Sequence, residues 1–340
     1  MPAAEHSVGR GALDALTSHS LEAHGHRDDP AVARLLAEIH RRHGDKVAAV
    51  LLYGSYLRGK RDTLIDLYVL LTDFDGALPG RWQALGNRSL PPNVYYLSLQ
   101  TDPPAAPTAG ADDAGAAEPQ RQQSQAAVRA KYATLSLAQF ASGMNDFHCY
   151  FWARFVQPTG LVFVRDEVTR GRVVAAMVNA LDTFAHRVTP TLGERFSSAD
   201  LWRCGFALTY ACELRSEHPD GIAALYDHNA SHFDQLLAAY AQADGALAAA
   251  GGGGYRAASA AAGSRGARLS WAVRRSQGKL LSVLRLVKAA GTFEDPLDYL
   301  LWKLERHSGV YIAPTERQRR RPLIFAWGLL WRLYRRGAFR

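Results

Sequence analysis

VAAVLLYGS (residues 47–55) and IDLYVLL (65–71) decide how this chain reads. Each is an apolar run of strand length, and continuous runs of this kind form strands covered on both faces. The first ends in the turn dipeptide Gly54-Ser55; the second admits one charged residue, Asp66, near its start. NVYYLSL (93–99) reads as a third strand. AVARLLAEIHRRH (31–43) reads as an amphipathic helix with Val32, Leu35, Leu36 and Ile39 on one face. Helix, strand, Gly-Ser turn, strand, strand is the order of a small mixed sheet backed by helices, an α+β fold.

Gly54-Ser55 between two buried strands, followed by Asp66, has the spacing of nucleotide transfer from a nucleoside triphosphate. Glycine has no Cβ, so the backbone can approach phosphates closely. The serine hydroxyl and neighbouring amides can donate to phosphate oxygens. A carboxylate inside an apolar strand is costly unless it is paired or metal-bound, and magnesium bridging phosphate oxygens is the metal this chemistry uses. Arg58 and Lys60 add positive charge beside the turn. General nucleotidyltransferases carry Asp-x-Asp on this strand; here the second position is Tyr68, on the same face as Asp66. A second carboxylate must therefore come from elsewhere in the chain.

The rest of the chain divides by composition. Residues 1–30 are polar and lack a continuous apolar stretch, which predicts a flexible lead with no signal peptide. Residues 31–165 form the expected nucleotidyltransferase domain, interrupted by a low-complexity Ala/Pro/Asp/Gln excursion at 102–125. From 126 to 241 the pattern is mainly helical, with a strand piece at 159–164. Residues 166–310 are expected to be a helical domain, with an Ala/Gly-rich linker at 244–268. Ser197 and Ser198 ahead of Asp200 mark a helix start near 196. Cys149, Cys204 and Cys212 are too few for a disulfide framework and predict a reducing compartment. The net charge is +8, and residues 317–340 alone hold eight Arg and no acid, so the remainder is formally neutral. That argues against a body that grips a nucleic-acid backbone along its length.

In order along the chain, several further segments resemble those of one family. Asn93-Val94-Tyr95-Tyr96 is similar to its Val-Tyr-Tyr-Asn strand, and Lys131-Tyr132-Ala133 to its Lys-Tyr-Gly. Residues 149–158 (CYFWARFVQP) resemble Leu-Tyr-x-Ala-Gly-Arg-Leu-x-Lys-Pro, and 196–201 (FSSADL) resemble Phe-Ser-Glu-Glu-Asp-Leu. Residues 209–215 (TYACELR) resemble Ser-Tyr-x-Gly-Asp-x-Arg, and Ser231-His232-Phe233 resembles Ala-His-Phe. Asp66-Leu67-Tyr68 matches a strand that in this family also carries a single Asp. The family is that of the mitochondrial-type, translocator-maintenance phosphatidate cytidylyltransferases, or CDP-diacylglycerol synthases. The resemblance spans roughly residues 45–240, with a looser echo at 273–307. The chain resembles a divergent member: no second glycine follows Gly54-Ser55, Lys-Tyr-Gly is Lys-Tyr-Ala, and Ala-Gly-Arg is Trp-Ala-Arg.

The resemblance implies that CTP and phosphatidate give CDP-diacylglycerol and pyrophosphate, with Mg2+ as cofactor. It assigns Asp66 and Glu213 to the metal. Gly54, Ser55, Arg58, Lys131, Tyr132 and Arg154 go to the nucleotide, and Asp66, Lys131 and Arg215 to catalysis. Guanidinium groups suit phosphate because they bind it bidentately. His232, on an apolar helix, reads as a packed core histidine. PLIFAWGLLWRLY (322–334) is too short to span a bilayer. Leu323, Trp327, Leu330 and Tyr334 share one helical face, opposite Arg321, Arg332, Arg335 and Arg336. Residues 317–340 are therefore expected to form an amphipathic helix on an anionic membrane surface. Location is then peripheral: the cytoplasmic face of a bacterial inner membrane, or the mitochondrial inner membrane in a eukaryote. No nucleic-acid partner is expected. The alternatives are a transferase of the same fold acting on another small molecule or a tRNA end, and a degenerate module that binds nucleotide or membrane without turnover.

Overall fold

A computed structural model describes residues 2–60, 63–78, 80–99, 128–213, 218–244, 247–257 and 264–292. In chain order the helices and strands are α1 (Pro2–Ala23), α2 (Pro30–His43), β1 (Val47–Tyr53), β2 (Ile65–Leu71), α3 (Arg81–Ser89), β3 (Asn93–Leu99), β4 (Val128–Ser136), α4 (Leu137–Asn145) and α5 (Phe151–Phe155). There follow β5 (Gly160–Val164), α6 (Glu167–Val188), β6 (Arg195–Phe196), α7 (Ser198–Tyr210), α8 (Pro219–His228), α9 (Ala230–Asp244), β7 (Leu247–Ala250), β8 (Gly254–Ala257) and α10 (Arg265–Thr292). The fold is α+β. Five strands form a mixed sheet in the order β3-β4-β2-β1-β5, in which only β2 and β4 run parallel. A smaller sheet, β6-β8-β7, sits among the later helices. Among the described residues no helix is long and apolar enough to cross a membrane.

Period-two alternation sends the large sheet's side chains into two cores. Ile65, Leu67, Val69 and Leu71 join Val32, Leu35 and Ile39 of α2 on one face. Tyr68 and Leu70 join α4, α5 and α6 on the other. Local chemistry fixes the ends of the elements. Asp29 caps α2, accepting from the Ala31 and Val32 amides ahead of Pro30. Ser197 and Asp200 form the capping box that starts α7, as the sequence predicts.

Four expectations are corrected. Residues 1–30 are not a featureless lead, because Pro2–Ala23 is helical and buries Leu13 and Leu21. Its apolar anchors are few and widely spaced. A glycine, Gly9, lets it approach α9 so closely that a Cβ there would lie 2.8 Å from the Ala243 Cα. Residues 128–136, inside the stretch read as mainly helical, form the internal strand β4, between β3 and β2. Ala130 and Tyr132 enter one core while Ala133 and Leu135 enter the other, so no single apolar face marks the strand. The linker expected at 244–268 contains the β7–β8 hairpin, turned by Gly252 and Gly253 at positive φ. The expected boundary at 165/166 also fails to separate cores, since α6 shares one with the sheet, α4 and α5. Residues 102–125 and 317–340 lie outside the described residues.

The N-terminal helix and the sheet meet with no room to spare at Gly160, where an added Cβ would sit 1.8 Å from the His24 carbonyl oxygen. Gly160→Ala should therefore lower the unfolding free energy by about 1–3 kcal/mol, read by urea denaturation. Wild-type stability in that variant would contradict the close packing of α1's end on β5.

Candidate functional site

The sheet's register builds the site. Tyr53 of β1 pairs with Asp66 of β2, Asp66 with Lys131 of β4, and Lys131 with Tyr96 of β3. Directly paired residues point the same way, so the four side chains form one row on a single face. Just past Tyr53, Gly54 takes φ 90°, and Ser55–Arg58 form a 3-10 turn closed by Gly59 at φ 78°. Only glycine suits position 54: its φ is positive, and a Cβ would lie 3.1 Å from Asp66 Oδ2. The Ser55 hydroxyl lies 3.1 Å from that of Thr63. Tyr56 ties the turn to α2 by donating to the capping carboxylate of Asp29 at 2.6 Å.

Asp66 faces a set of cations. Burial pushes its carboxyl above the ordinary value, while the charges of Lys131, Arg154 and Arg58 pull the other way. Arg154, from α5, donates to the Tyr53 hydroxyl at 3.4 Å and lies over the rings of Tyr53 and Tyr150. It also meets Glu213 Oε1 at 3.5 Å. That distance is long for a charge-assisted bond, which leaves Glu213 a loosely held carboxylate. The Tyr150 hydroxyl lies 3.3 Å from that of Tyr68. The phenols of Tyr53 and Tyr150 are held well above their ordinary range, first by burial.

An open cleft of about 380 Å³ lies beside this row. Tyr53, Gly54, Arg58 and Arg154 line one side, and Leu225 and Asn229, at the end of α8, line another. His24, at the end of α1, contributes as well. The sheet and the later helices thus share the cleft.

Of the residues expected from sequence, the structure brings Gly54, Ser55, Arg58, Asp66, Lys131, Arg154 and Glu213 into one neighbourhood. Tyr132 is a correction. It is the neighbour of Lys131 on a strand, so its side chain points to the opposite face. It is buried there, stacked on Tyr95, with its hydroxyl 3.2 Å from His43 Nε2. His43 Nδ1 faces the Ala77 carbonyl at 2.7 Å, and since a carbonyl only accepts, this nitrogen donates there. Arg215 lies outside the described residues. His232 is half-buried and neutral: burial lowers it to about 4. Sequence reasoning missed Tyr53, Tyr150 and His24. Tyr53 was within reach, because it immediately precedes the Gly-Ser turn and must pair with whatever opposes it on β2.

A magnesium ion fits this donor set on one condition. Among the described residues no group of three His, Cys, Asp or Glu side chains could hold a metal. Magnesium is commonly held by one or two carboxylates together with substrate phosphates and water. Asp66 and Glu213 meet that requirement in number, with substrate phosphates and water to complete the shell.

No family model matches the chain, and no curated protein matches it.

The raised carboxyl of Asp66 carries a stability signature. The folded chain holds this proton more tightly than the unfolded chain, so the fold loses stability as pH rises from about 4 through the folded-state value. Asp66→Asn removes that loss. Its thermal midpoint at pH 7 should equal or exceed that of wild type, and the two should converge at low pH. A midpoint well below wild type at pH 7 would mean that Asp66 is chiefly a structural ion-pair partner.

Proposed function

We propose that this chain is a nucleotidyltransferase that binds a nucleoside triphosphate against the Gly54–Arg58 turn, with Asp66 as its principal metal ligand. One observation carries the reading: a half-buried carboxylate, Asp66, lies among Arg58, Lys131 and Arg154, behind a glycine turn at positive φ where a Cβ would crowd its oxygen. A carboxylate with three cations makes sense as half of a site whose other half is a polyphosphate. The specific reaction is CTP:phosphatidate cytidylyl transfer, which the resemblance to the translocator-maintenance cytidylyltransferases supports.

A phosphatidate phosphate oxygen attacks the α-phosphorus of CTP in line; the bond to the β-phosphate oxygen breaks, giving CDP-diacylglycerol and pyrophosphate. Magnesium, held by Asp66 and Glu213, would offset the charge of the triphosphate and of the developing transition state. The chain's own residues position and neutralise. The backbone of Gly54 and Ser55 approaches the phosphates. Arg58 and Lys131 supply charge from either side of Asp66. Arg154, braced by the Tyr53 and Tyr150 rings, offers a planar donor pair for phosphate. Arg215 retains the phosphate-binding role that the resemblance gives it. Residues 317–340 would hold the enzyme to an anionic membrane, where the lipid substrate resides.

The single strand carboxylate favours one competing reading, a nucleotide-binding module without turnover. Pyrophosphate release decides between the two. Full-length protein with CTP, Mg2+ and detergent-dispersed phosphatidate should release pyrophosphate, with CTP preferred over ATP. Asp66→Asn, Lys131→Met and Arg154→Ala should each slow release by about 10²–10³-fold. Tyr132→Phe, on the other face of the sheet, should keep near-normal turnover. Nucleotide binding without release would support the module. A clear ATP preference would point to another acceptor, and a Tyr132→Phe loss equal to that of Lys131→Met would place the site wrongly.

A further inference from the structure

Helix α10 is committed to the protein on one side only. Trp271 is buried, and its indole N–H donates to the Arg187 carbonyl at 3.0 Å. Arg274, 2% exposed, lies 4.2 Å over Trp152 and donates to the Cys149 carbonyl at 3.1 Å. Gly278 rests against Cys212, and Arg285 donates to the Pro91 carbonyl while lying over Tyr150. At 100° per residue these four positions fall on one side of the helix.

Among the described residues the opposite side is aliphatic and exposed. Leu269, Val273, Leu280, Val283 and Leu284 are 68%, 53%, 61%, 44% and 44% exposed. Their spacing places all five within a single stripe. Isolated exposed leucines need no explanation, but a stripe of five along one helix does. Arg265, Arg268, Arg275 and Lys279 are exposed along one flank of the stripe, and the 28-residue helix contains no acidic residue.

That charge pattern selects the occupant. A second copy of the helix would bring two uncompensated basic flanks together, which opposes self-association. A nucleic acid would meet aliphatic side chains with no aromatic ring on the stripe to stack its bases. An anionic lipid surface answers both features, because aliphatic side chains enter the headgroup boundary while the flanking cations meet lipid phosphates. With its other side docked on the protein, the helix can only lie in the plane of such a surface.

We infer that α10 is a membrane-contact helix, which lays its Leu269–Leu284 stripe on an anionic bilayer through residues separate from the basic tail. Arg285 then couples the surface to the cleft, since the Tyr150 ring beneath it also holds Arg154. The inference stands on the exposed stripe and needs no turnover, so it can fail or hold independently of the cytidylyltransferase reading.

The test uses full-length protein, tail included, with vesicles of phosphatidylcholine alone or mixed with phosphatidylglycerol. Two surface variants are compared with wild type: Leu280→Ser/Leu284→Ser and Arg268→Glu/Lys279→Glu. Wild type should co-sediment with the anionic vesicles only, and each double variant should bind them at least about tenfold more weakly. Circular dichroism and mass by light scattering should be unchanged in both variants. Anionic-vesicle binding by both variants at the wild-type affinity would overturn the inference, since the tail alone would then account for it. So would a wild-type dimer that Leu280→Ser/Leu284→Ser splits, because the stripe would then belong to a second copy.

Discussion

Asp66 sits in a strand that otherwise buries every residue, and the glycine turn above it runs so close that a Cβ there would crowd its oxygen. Removing a carboxylate from water is expensive, and the fold recovers the cost only partly through Lys131, Arg154 and Arg58. The residual cost shows in a carboxyl whose pKa is raised above its ordinary value. Much of the surrounding architecture follows from holding that group in place. The parallel β2–β4 pairing sets Lys131 beside it, the antiparallel β1–β2 pairing sets Tyr53 on its other side, and Gly54 lets the chain turn over its oxygen.

The later helices matter because the sheet alone does not close the site. Arg154 belongs to α5, whose aromatic neighbours anchor it in the core shared with α6. Glu213 follows the end of α7, and the end of α8 forms a wall of the cleft. Helix α1 contributes His24 at the rim. A cleft built between a sheet and separate helices can change width with small shifts of packing.

The strands that dominate the core were legible because their composition is extreme. VAAVLLY, IDLYVLL and NVYYLSL coincide with β1, β2 and β3 residue for residue. The pairing of Gly54-Ser55 with Asp66 was legible for the same reason, since a charge in an apolar run stands out. β4 was not legible, because it divides its apolar residues between two cores and follows a low-complexity stretch. That loss had a chemical consequence. Without β4 as a strand, Lys131 and Tyr132 look like neighbours with a common role, whereas the pleat sends them to opposite faces. Helix α1 was hidden by its polar composition: it docks through two buried leucines and a glycine rather than a continuous apolar stripe. The exposed stripe of α10 has the same spacing as a buried one, so only coordinates can tell which side the protein covers.

The central claim is that Asp66 and the Gly54–Arg58 turn together receive a metal-bound triphosphate. The direct measurement is a crystal structure of the full chain with Mn2+ and a non-hydrolysable CTP analogue, the metal located by anomalous scattering. The expected result is a peak within ~2.2 Å of an Asp66 oxygen, with the triphosphate against Gly54 and Ser55 and its charge met by Arg58, Lys131 and Arg154. A nucleotide bound elsewhere, or a metal held without Asp66, would contradict it.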